Sequence, residues 1–186
     1  SRNNNFYAGF AQAYRPVIFK DIIPASVYEV TDKNLKDAYG YTLEAGYRGN
    51  SGGFKWDVSV FHLDYQNRMG SLSMQNDTGA FILYKTNIGN SETNGAEIFA
   101  EYSVSIHNKL YLSIFTSTAF MDARYKDAMI KSGNANVNID DNKVESVPAV
   151  ISRNGITAKL YGASISLLYS YTAKSFADAL NTEKPS

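Results

Sequence analysis

Basic residues stand where alternating apolar segments give way to polar ones, and their chemistry is that of anion binding. The five are Arg15, Arg68, Lys85, Arg124 and Lys126. An anionic ligand requires several cationic hydrogen-bond donors at once, and the fork of a guanidinium suits carboxylate oxygens. Ordinary surface charge explains each cation taken alone. As a set they predict a ligand-binding site for an anion.

Two carboxylates, Glu97 and Glu101, lie in one alternating segment and therefore on one face of a strand. Such a pair could serve general acid–base chemistry, but polar lining of a water-filled interior explains it better. His62 and His107 are far apart in the sequence, and the chain has neither a nucleophile-elbow nor a zinc-protease motif. The sequence therefore predicts that the protein is not an enzyme.

A metal site is not predicted either. The chain has no cysteine, which excludes thiolate ligands and disulfides. Asn134, Asn136, Asn138 and Glu145 match positions of a calcium-binding loop, but Ile139 stands where that loop requires glycine. A solvated loop accounts for the same residues.

The elements that must position these residues are strands. Residues 94–106 and 109–120 form two alternating runs separated by a two-residue turn at 107–108. Each run exceeds the ~5–6 residues usual in soluble sheets and reaches the ~9–11 residues with which a tilted strand crosses a bilayer. The pair predicts a membrane-spanning hairpin, with both glutamates on its lumen side and the face of Tyr102 toward lipid.

Further alternating runs extend this pattern along the chain. They cover residues 6–15, 41–47, 54–65, 152–160 and 163–172, with a shorter run at 81–86. Short turns (49–53, 107–108, 161–162) alternate with long polar connections (16–39, 69–91, 124–150). A change of phase at Val60 and Phe61 predicts either a β-bulge or a strand that emerges from the lipid zone, and no helix is predicted. This asymmetry is typical of outer-membrane barrels. The predicted fold class is an all-β, antiparallel, up-and-down transmembrane β-barrel.

The composition agrees with a sheet between lipid and water. Among 186 residues, 18 basic and 18 acidic side chains balance, so no nucleic-acid partner is predicted. There are 14 tyrosines and 10 phenylalanines, and the amphipathic tyrosine ring suits a membrane interface. The residues predicted to form lipid-interface girdles are Tyr47, Trp56, Tyr102, Tyr169 and Tyr171. A soluble sheet core is the alternative for them, and the strand lengths favour girdles.

Five segments, in their order along the chain, resemble TonB-dependent outer-membrane receptors. They are residues 7–16 (YAGFAQAYRP), 35–49 (LKDAYGYTLEAGYRG), 86–97 (TNIGNSETNGAE), 146–149 (SVPA) and 176–182 (FADALNT). Residues 14–22 and 176–182 look most similar to the ferric-citrate-type siderophore receptors of that family. The order of the segments is more specific than any one of them.

The resemblance implies a barrel of about 22 strands around a plug domain. Residues 1–186 would be one partial barrel domain from its later part, with roughly seven strands and without the plug or the closing strands. The implied function is active uptake of ferric citrate or another ferric siderophore across a Gram-negative outer membrane. TonB would act through the missing plug segment, outer-membrane lipid would surround the strands, and the ferric chelate would be cargo rather than a bound cofactor.

Two alternatives stay open. The same fold could take up cobalamin or an oligosaccharide, for which Tyr28 and Tyr84 would provide stacking platforms beside Arg124. A protein of another class, a soluble β-rich adhesin or binding module, would also show alternating strands. Folding as a monomer without detergent would distinguish that class from a membrane barrel.

Overall fold

Seven strands lie side by side in one open antiparallel sheet. The computed structural model describes residues 3–76, 79–106 and 109–182. Its elements are β1 (Asn3–Arg15), α1 (Phe19–Ile22), β2 (Glu29–Thr31), β3 (Ala38–Ser51), β4 (Phe54–Gln75), β5 (Phe81–Ile106), β6 (Leu110–Lys126), β7 (Met129–Ser132), β8 (Ala135–Asn138), β9 (Val150–Leu160) and β10 (Ala163–Thr172). The sheet has the order β1-β3-β4-β5-β6-β9-β10, and neighbours in it are antiparallel. The predicted fold class is confirmed as a piece of barrel wall, open between β1 and β10.

The two central strands are longer than predicted. β4 continues to Gln75 and β5 starts at Phe81, so the long connection predicted at 69–91 was wrong, whereas the short strand predicted at 81–86 is confirmed as the start of β5. Residues 69–75 instead pair with residues 81–87. Backbone hydrogen bonds hold this part of the ladder, and they do not require apolar side chains once the strands extend into water. Gly70, Ser71 and Ser73 are frequent in loops, which is why residues 69–75 resemble one although Leu72 and Met74 alternate with the serines.

The register of β4 against β5 shifts later than predicted. Val60 and Phe61 keep the regular register, so the bulge predicted there was wrong. The shift falls between Tyr65 and Met69, where Asn67 has a φ of 56°. The apolar residues change from even to odd positions at Val60 and Phe61 because Phe61 and Tyr65 place aromatic rings on the polar face as well.

Short turns lie at one end of the sheet. β3 joins β4 through Gly52 and Gly53, whose φ values of 57° and 85° favour glycine. β9 joins β10 at residues 161–162. The turn predicted at 107–108 lies outside the described residues. The two long connections, 16–37 and 127–149, leave from the opposite end.

The two faces of the sheet differ in chemistry. The face that we call the outer face bears large apolar side chains, and Phe6, Ile165 and Leu167 are 84%, 73% and 73% exposed. The opposite face, the inner face, bears carboxylates, serines and Arg153. An exposed apolar surface of this extent is typical of strands that contact lipid.

Connection 16–37 crosses the inner face. It contains α1, a single helical turn that the sequence did not predict, and β2, which pairs in parallel with residues 83–85 of β5. The other edge of β5 is already paired with β4 at that level. The chain therefore passes over β3 and β4 before it returns to β3. No helix within the described residues is long and apolar enough to cross a membrane.

A small buried core lies under connection 127–149. We call it the loop core; it comprises Ala123, Tyr125, Ala128, Ile139 and Val144, with Ile130, Val147, Ala179 and Leu180 around them. The β7–β8 hairpin is tied to β4 by Asn136, whose amide accepts the Ser73 N–H at 2.6 Å and donates to the Ser73 carbonyl at 2.9 Å. Residues after β10 complete the core, since the Ser146 N–H donates to the carbonyl of Phe176 at 2.9 Å.

Aromatic rings on the inner face pack over glycines of the neighbouring strand. A Cβ atom at Gly95 would lie 2.3 Å from the Phe61 ring and 2.7 Å from the carbonyl oxygen of Phe120. The pairs Gly46–Tyr7 and Gly155–Phe115 repeat the arrangement. These glycines make room for rings that would otherwise be displaced from the wall.

Gly95→Ala is expected to lower the free energy of unfolding by about 1–3 kcal/mol, because the Phe120 carbonyl belongs to the ladder and cannot move away. The measurement is the urea midpoint of the full-length protein refolded into lipid vesicles. Gly9→Ala is the matched control, since a Cβ at Gly9 meets nothing within 4 Å. Equal shifts for the two variants would contradict the packing argument.

Candidate ligand-binding site

A cavity of about 310 Å³ opens on the inner face, at the end from which the long connections leave. It is lined by Arg15, Asp21, Tyr65, Arg68, Met69, Gly70, Ser71 and Lys85. Three of the five cations singled out in the sequence, Arg15, Arg68 and Lys85, therefore meet in one place. They come from β1, β4 and β5, so tertiary structure rather than sequence proximity assembles them. We call this the cationic cavity.

Local features of three strands place these cations. β1 ends at Arg15 because Pro16 has no N–H to donate to a ladder. The register shift after Tyr65 sets Arg68 on the inner face. Lys85 lies near the start of β5, within the short strand predicted at 81–86.

The carboxylate of Asp21 occupies the cationic cavity. α1 brings it there, it is 6% exposed, and it pairs with Arg15 Nη2 at 3.1 Å and with Lys85 Nζ at 3.6 Å. Its Oδ2 atom also accepts the N–H of Ile18 at 3.3 Å. Burial acts to raise the pKa of Asp21, but the Ile18 hydrogen bond and the two cations outweigh it, and the pKa is lowered. Asp21 is therefore an anion at neutral pH and partly balances the cavity.

Arg68 is held differently, between two aromatic rings. Its guanidinium carbon lies 5.4 Å from the ring centroid of Tyr65 and 5.1 Å from that of Tyr125, which is cation–π geometry. It also donates to Ser91 Oγ at 2.9 Å. No carboxylate in the described part of the chain lies within ion-pair distance of it. Its charge is therefore available to a ligand.

The other two cations lie on the outer face. β6 keeps one register against β5, so Arg124 and Lys126 share a face with the exposed Phe120. Arg124 Nε lies 3.1 Å from Asp122, and Lys126 Nζ lies 2.6 Å from Asp141. The structure thus divides the five cations into two groups on opposite faces. Ligand binding by Arg15, Arg68 and Lys85 stays a prediction.

A larger cavity of about 580 Å³ lies nearer the short turns on the inner face, and we call it the acidic trench. Its polar lining consists of Tyr7, Glu44, Asp57, Ser59, Glu97, Ser117, Thr118 and Arg153. The Tyr7 hydroxyl donates to Asp57 Oδ1 at 2.8 Å and lies 3.3 Å from Glu44 Oε1. Three carboxylates face a single arginine, so the trench is suited to cationic side chains of another segment.

Glu101 shares the inner face with Glu97 but has its own partners. Its Oε1 atom accepts hydrogen bonds from Ser103 Oγ at 2.9 Å and Ser113 Oγ at 3.2 Å, and its Oε2 atom pairs with Lys55 Nζ at 3.4 Å. Glu101 is therefore engaged locally rather than in an acid–base pair. That both glutamates line a lumen stays a prediction.

The five aromatic residues predicted for the lipid interface share the outer face. The rings of Tyr47 and Trp56 are 6.1 Å apart between centroids on neighbouring strands. Tyr102 is 46% exposed, and Tyr169 and Tyr171 project from β10. Their contact with lipid stays a prediction.

The residues that resembled a calcium loop have other roles. Asn136 binds the backbone of β4, and Glu145 Oε2 accepts the Tyr125 hydroxyl at 2.6 Å. Among the described residues, no three His, Cys, Asp or Glu side chains are grouped so that they could hold a metal ion.

Sequence reasoning missed two residues that organise the cationic cavity, Asp21 and Tyr125. No sequence pattern marks Asp21 as a partner of Arg15 and Lys85, because their contact depends on how connection 16–37 crosses the sheet. Tyr125 did carry a signal, since it alternates in phase with the inner-face residue Ala123 and β6 extends further than its apolar part.

Three carboxylates anchor connection 16–37, and the pKa of each is lowered. Asp32 accepts from Thr86 Oγ1 at 2.7 Å and Asp37 from the Tyr14 hydroxyl, and these hydrogen bonds are the main causes of their lowered pKa values. For Asp21, burial opposes the lowering and its backbone and cation contacts prevail. A carboxylate whose pKa is lowered by folding stabilises the folded state at any pH above its unfolded-state pKa. This stabilisation is lost as the pH falls through the folded-state pKa.

Acid is therefore expected to release connection 16–37. Amide hydrogen-exchange protection of residues 16–37, corrected for the intrinsic rate at each pH, should stay constant from about pH 8 to about pH 5 and fall below about pH 4, near the unfolded-state pKa of aspartate. Peptides from β9 provide the internal control, since no carboxylate lies in that strand. Loss of protection that was complete by about pH 5 would contradict this assignment.

The fold and the cavities define a class of protein. An open wall of antiparallel strands, an apolar outer face, a polar inner face, and short turns at one end with long connections at the other are typical of outer-membrane barrels. Residues 1–186 match the family model described as TonB dependent receptor-like, beta-barrel. The chain therefore belongs to the TonB-dependent receptor family, whose barrels are outer-membrane proteins and whose members are transport receptors rather than enzymes.

Several solved structures share the fold. The siderophore receptor PiuA from Acinetobacter baumannii has 16% identity and a TM-score of 0.73, and the match covers 98% of this chain and 26% of that one. The FrpB iron transporter from Neisseria meningitidis has 14% identity and a TM-score of 0.62 (92% and 25% covered). The copper transporter OprC has 17% identity and a TM-score of 0.61 (92% and 24% covered). The chain thus spans about a quarter of each. No curated protein sequence matches it.

Proposed function

We propose that this chain is part of the barrel of a receptor that takes up an anionic ferric chelate by a TonB-driven mechanism. The observation that supports this cargo is the cationic cavity, in which Arg15, Arg68 and Lys85 face the inner side below the long connections. Guanidinium and ammonium groups bind chelate oxygens through charge-assisted hydrogen bonds. Two proteins of similar fold are a siderophore receptor and an iron transporter, which agrees with this cargo.

In this proposal the sheet stands in the outer membrane with its short turns toward the periplasm. The outer face contacts lipid, the aromatic residues lie at its interfaces, and the connections 16–37 and 127–149 face the outside. A chelate that arrives from outside would then meet the cationic cavity before the acidic trench.

The acidic trench is proposed to contact the plug. Its three carboxylates, Glu44, Asp57 and Glu97, are suited to arginine or lysine side chains of a domain inside the barrel. TonB would act on that domain and not on the wall. The wall would supply a rigid scaffold and one part of the ligand site.

Ferric citrate is the first cargo to test, and cobalamin or an oligosaccharide are the alternatives. A sugar is bound best by free aromatic faces, but the rings of Tyr65 and Tyr125 are already covered by Arg68. Tyr28 is 70% exposed and could still offer a platform. The cavity therefore favours an anion over a neutral sugar.

The experiment uses the full-length receptor. Purified protein is titrated with ferric citrate, cobalamin and a set of oligosaccharides, and uptake of radioactive iron is compared in cells with and without TonB. Saturable binding of ferric citrate and loss of uptake without TonB are the expected results. Saturable binding of another cargo alone would overturn the cargo assignment, and uptake that does not require TonB would overturn the mechanism.

A further inference from the structure

The cationic cavity already holds a carboxylate that the chain supplies itself. Asp21 is 6% exposed and contacts both Arg15 and Lys85, whereas Arg68 is left without an acidic partner among the described residues. Three cations and one carboxylate leave the cavity with a net charge of about +2. Asp21 holds Arg15 and Lys85 through a carboxylate, which is the same group that a carboxylate chelate would present.

The contacts of Asp21 with its two cations are longer than strong charge-assisted hydrogen bonds. Its oxygens lie 3.1 Å from Arg15 Nη2 and 3.6 Å from Lys85 Nζ, longer than the about 2.7–2.9 Å of a strong charge-assisted hydrogen bond. The Arg15 side chain is 47% exposed. Even the largely exposed pair on the outer face is shorter, with Lys126 Nζ 2.6 Å from Asp141. Asp21 thus pairs with both cations but leaves the Arg15 side chain accessible to solvent.

Connection 16–37 can release Asp21 without leaving the wall. It is attached on the far side of the site, where β2 pairs with residues 83–85 and the Asn87 amide binds the backbone N–H and carbonyl of Lys36. Between β1 and β2, by contrast, large side chains such as Phe19 and Val27 are 77% and 90% exposed. That stretch buries little surface that would resist movement.

We propose that Asp21 is an intramolecular competitor of the ligand: an anionic chelate enters the cationic cavity by exchanging with the Asp21 carboxylate on Arg15 and Lys85. This inference rests on the proposed uptake of an anionic chelate and adds a determinant of its specificity. A tethered carboxylate acts at an effective concentration of millimolar order. A ligand that offers one carboxylate exchanges one bond for another, whereas one that also reaches Arg68 gains a contact that Asp21 cannot make. Asp21 therefore selects ligands with several anionic groups.

The test compares the full-length receptor with Asp21→Asn and with the matched control Glu29→Gln. Glu29 lies in the same connection and accepts the Ala25 N–H at 3.0 Å, with no described cation in ion-pair distance. Both changes remove one negative charge and keep the shape of the side chain. The probes are ferric citrate, citrate without iron, and acetate. The readouts are the Kd from calorimetry and the hydrogen exchange of residues 17–31.

The expected result is that Asp21→Asn binds ferric citrate and citrate about tenfold more tightly than the wild type, within the range of typical coupling effects. Glu29→Gln should stay within about twofold of the wild type. Citrate should raise exchange at residues 17–31 in the wild type, and Asp21→Asn should show raised exchange without it. Acetate should bind measurably only to Asp21→Asn.

Other outcomes separate the two proposals. If wild type and Asp21→Asn bind ferric citrate equally, or if the variant binds more weakly, Asp21 is not a competitor and the uptake proposal stands. If neither protein binds ferric citrate or citrate, the uptake proposal fails in the wild type itself, and the exchange proposal fails with it. Binding by Asp21→Asn alone would support the competitor role.

Discussion

Tyr125→Ala is expected to detach connection 127–149 from the sheet and to lower the free energy of unfolding by about 3–5 kcal/mol, the usual cost of removing a buried aromatic side chain. Tyr125 is 2% exposed at the centre of the loop core, and its hydroxyl donates to Glu145 Oε2 at 2.6 Å. Burial and the Glu145 carboxylate raise the pKa of Tyr125, so the hydroxyl keeps its proton at neutral pH. The variant loses both the ring contacts and the hydrogen bond.

The measurement combines the urea midpoint of the full-length receptor in lipid vesicles with hydrogen exchange across residues 127–149. Tyr125→Phe is the control, because it keeps the ring and removes one hydrogen bond, which should cost about 1 kcal/mol. Its exchange pattern should stay close to that of the wild type. Equal effects of the two substitutions would show that ring packing does not hold the connection.

Much of the wall could be predicted from the sequence because its strands have two chemically different faces. β3, β9 and β10 alternate clearly, and each begins or ends within a few residues of its predicted position. Alternation works here because the outer face carries apolar side chains whereas inner positions tolerate polar ones. Once the strands pass beyond that apolar band the rule no longer applies, and the end of β4 and residues 87–91 of β5 were assigned to a connection for this reason.

The candidate site could be predicted only in part. Basic residues at strand ends were visible in the sequence, but the partners of Arg15 and Lys85 depend on the path of connection 16–37. The sequence does indicate which face of the sheet two of the cations occupy. Phe120, Arg124 and Lys126 all fall at even positions, so an unbroken β6 places both cations on the apolar face. Spacing along one strand thus says which face a charge occupies, and it does not say which charges meet across strands.

Arg68→Gln combined with Lys85→Gln is expected to weaken the binding of ferric citrate by about 100-fold or more. Each charge-assisted hydrogen bond contributes about 1.5–3 kcal/mol, and two of them correspond to at least two powers of ten in Kd. The double variant loses the contacts of Lys85 with Asp21 and with the Lys20 carbonyl, but it keeps the Arg15–Asp21 pair and the backbone pairing of β2 with β5, so connection 16–37 stays anchored. The Kd is measured by calorimetry on the full-length receptor, and hydrogen exchange of residues 16–37 confirms that the anchor remains.

The matched control is Arg124→Gln combined with Lys126→Gln, which removes the same charge from the same end of the wall. These two side chains lie on the outer face and pair with Asp122 and Asp141, so their loss should change the Kd by less than about twofold, as for exposed ion pairs. Net charge and long-range attraction fall equally in both variants, and only contact within the cationic cavity differs. A larger loss in the outer-face variant would place the ligand on the other side of β6 and would overturn the assignment of the cavity.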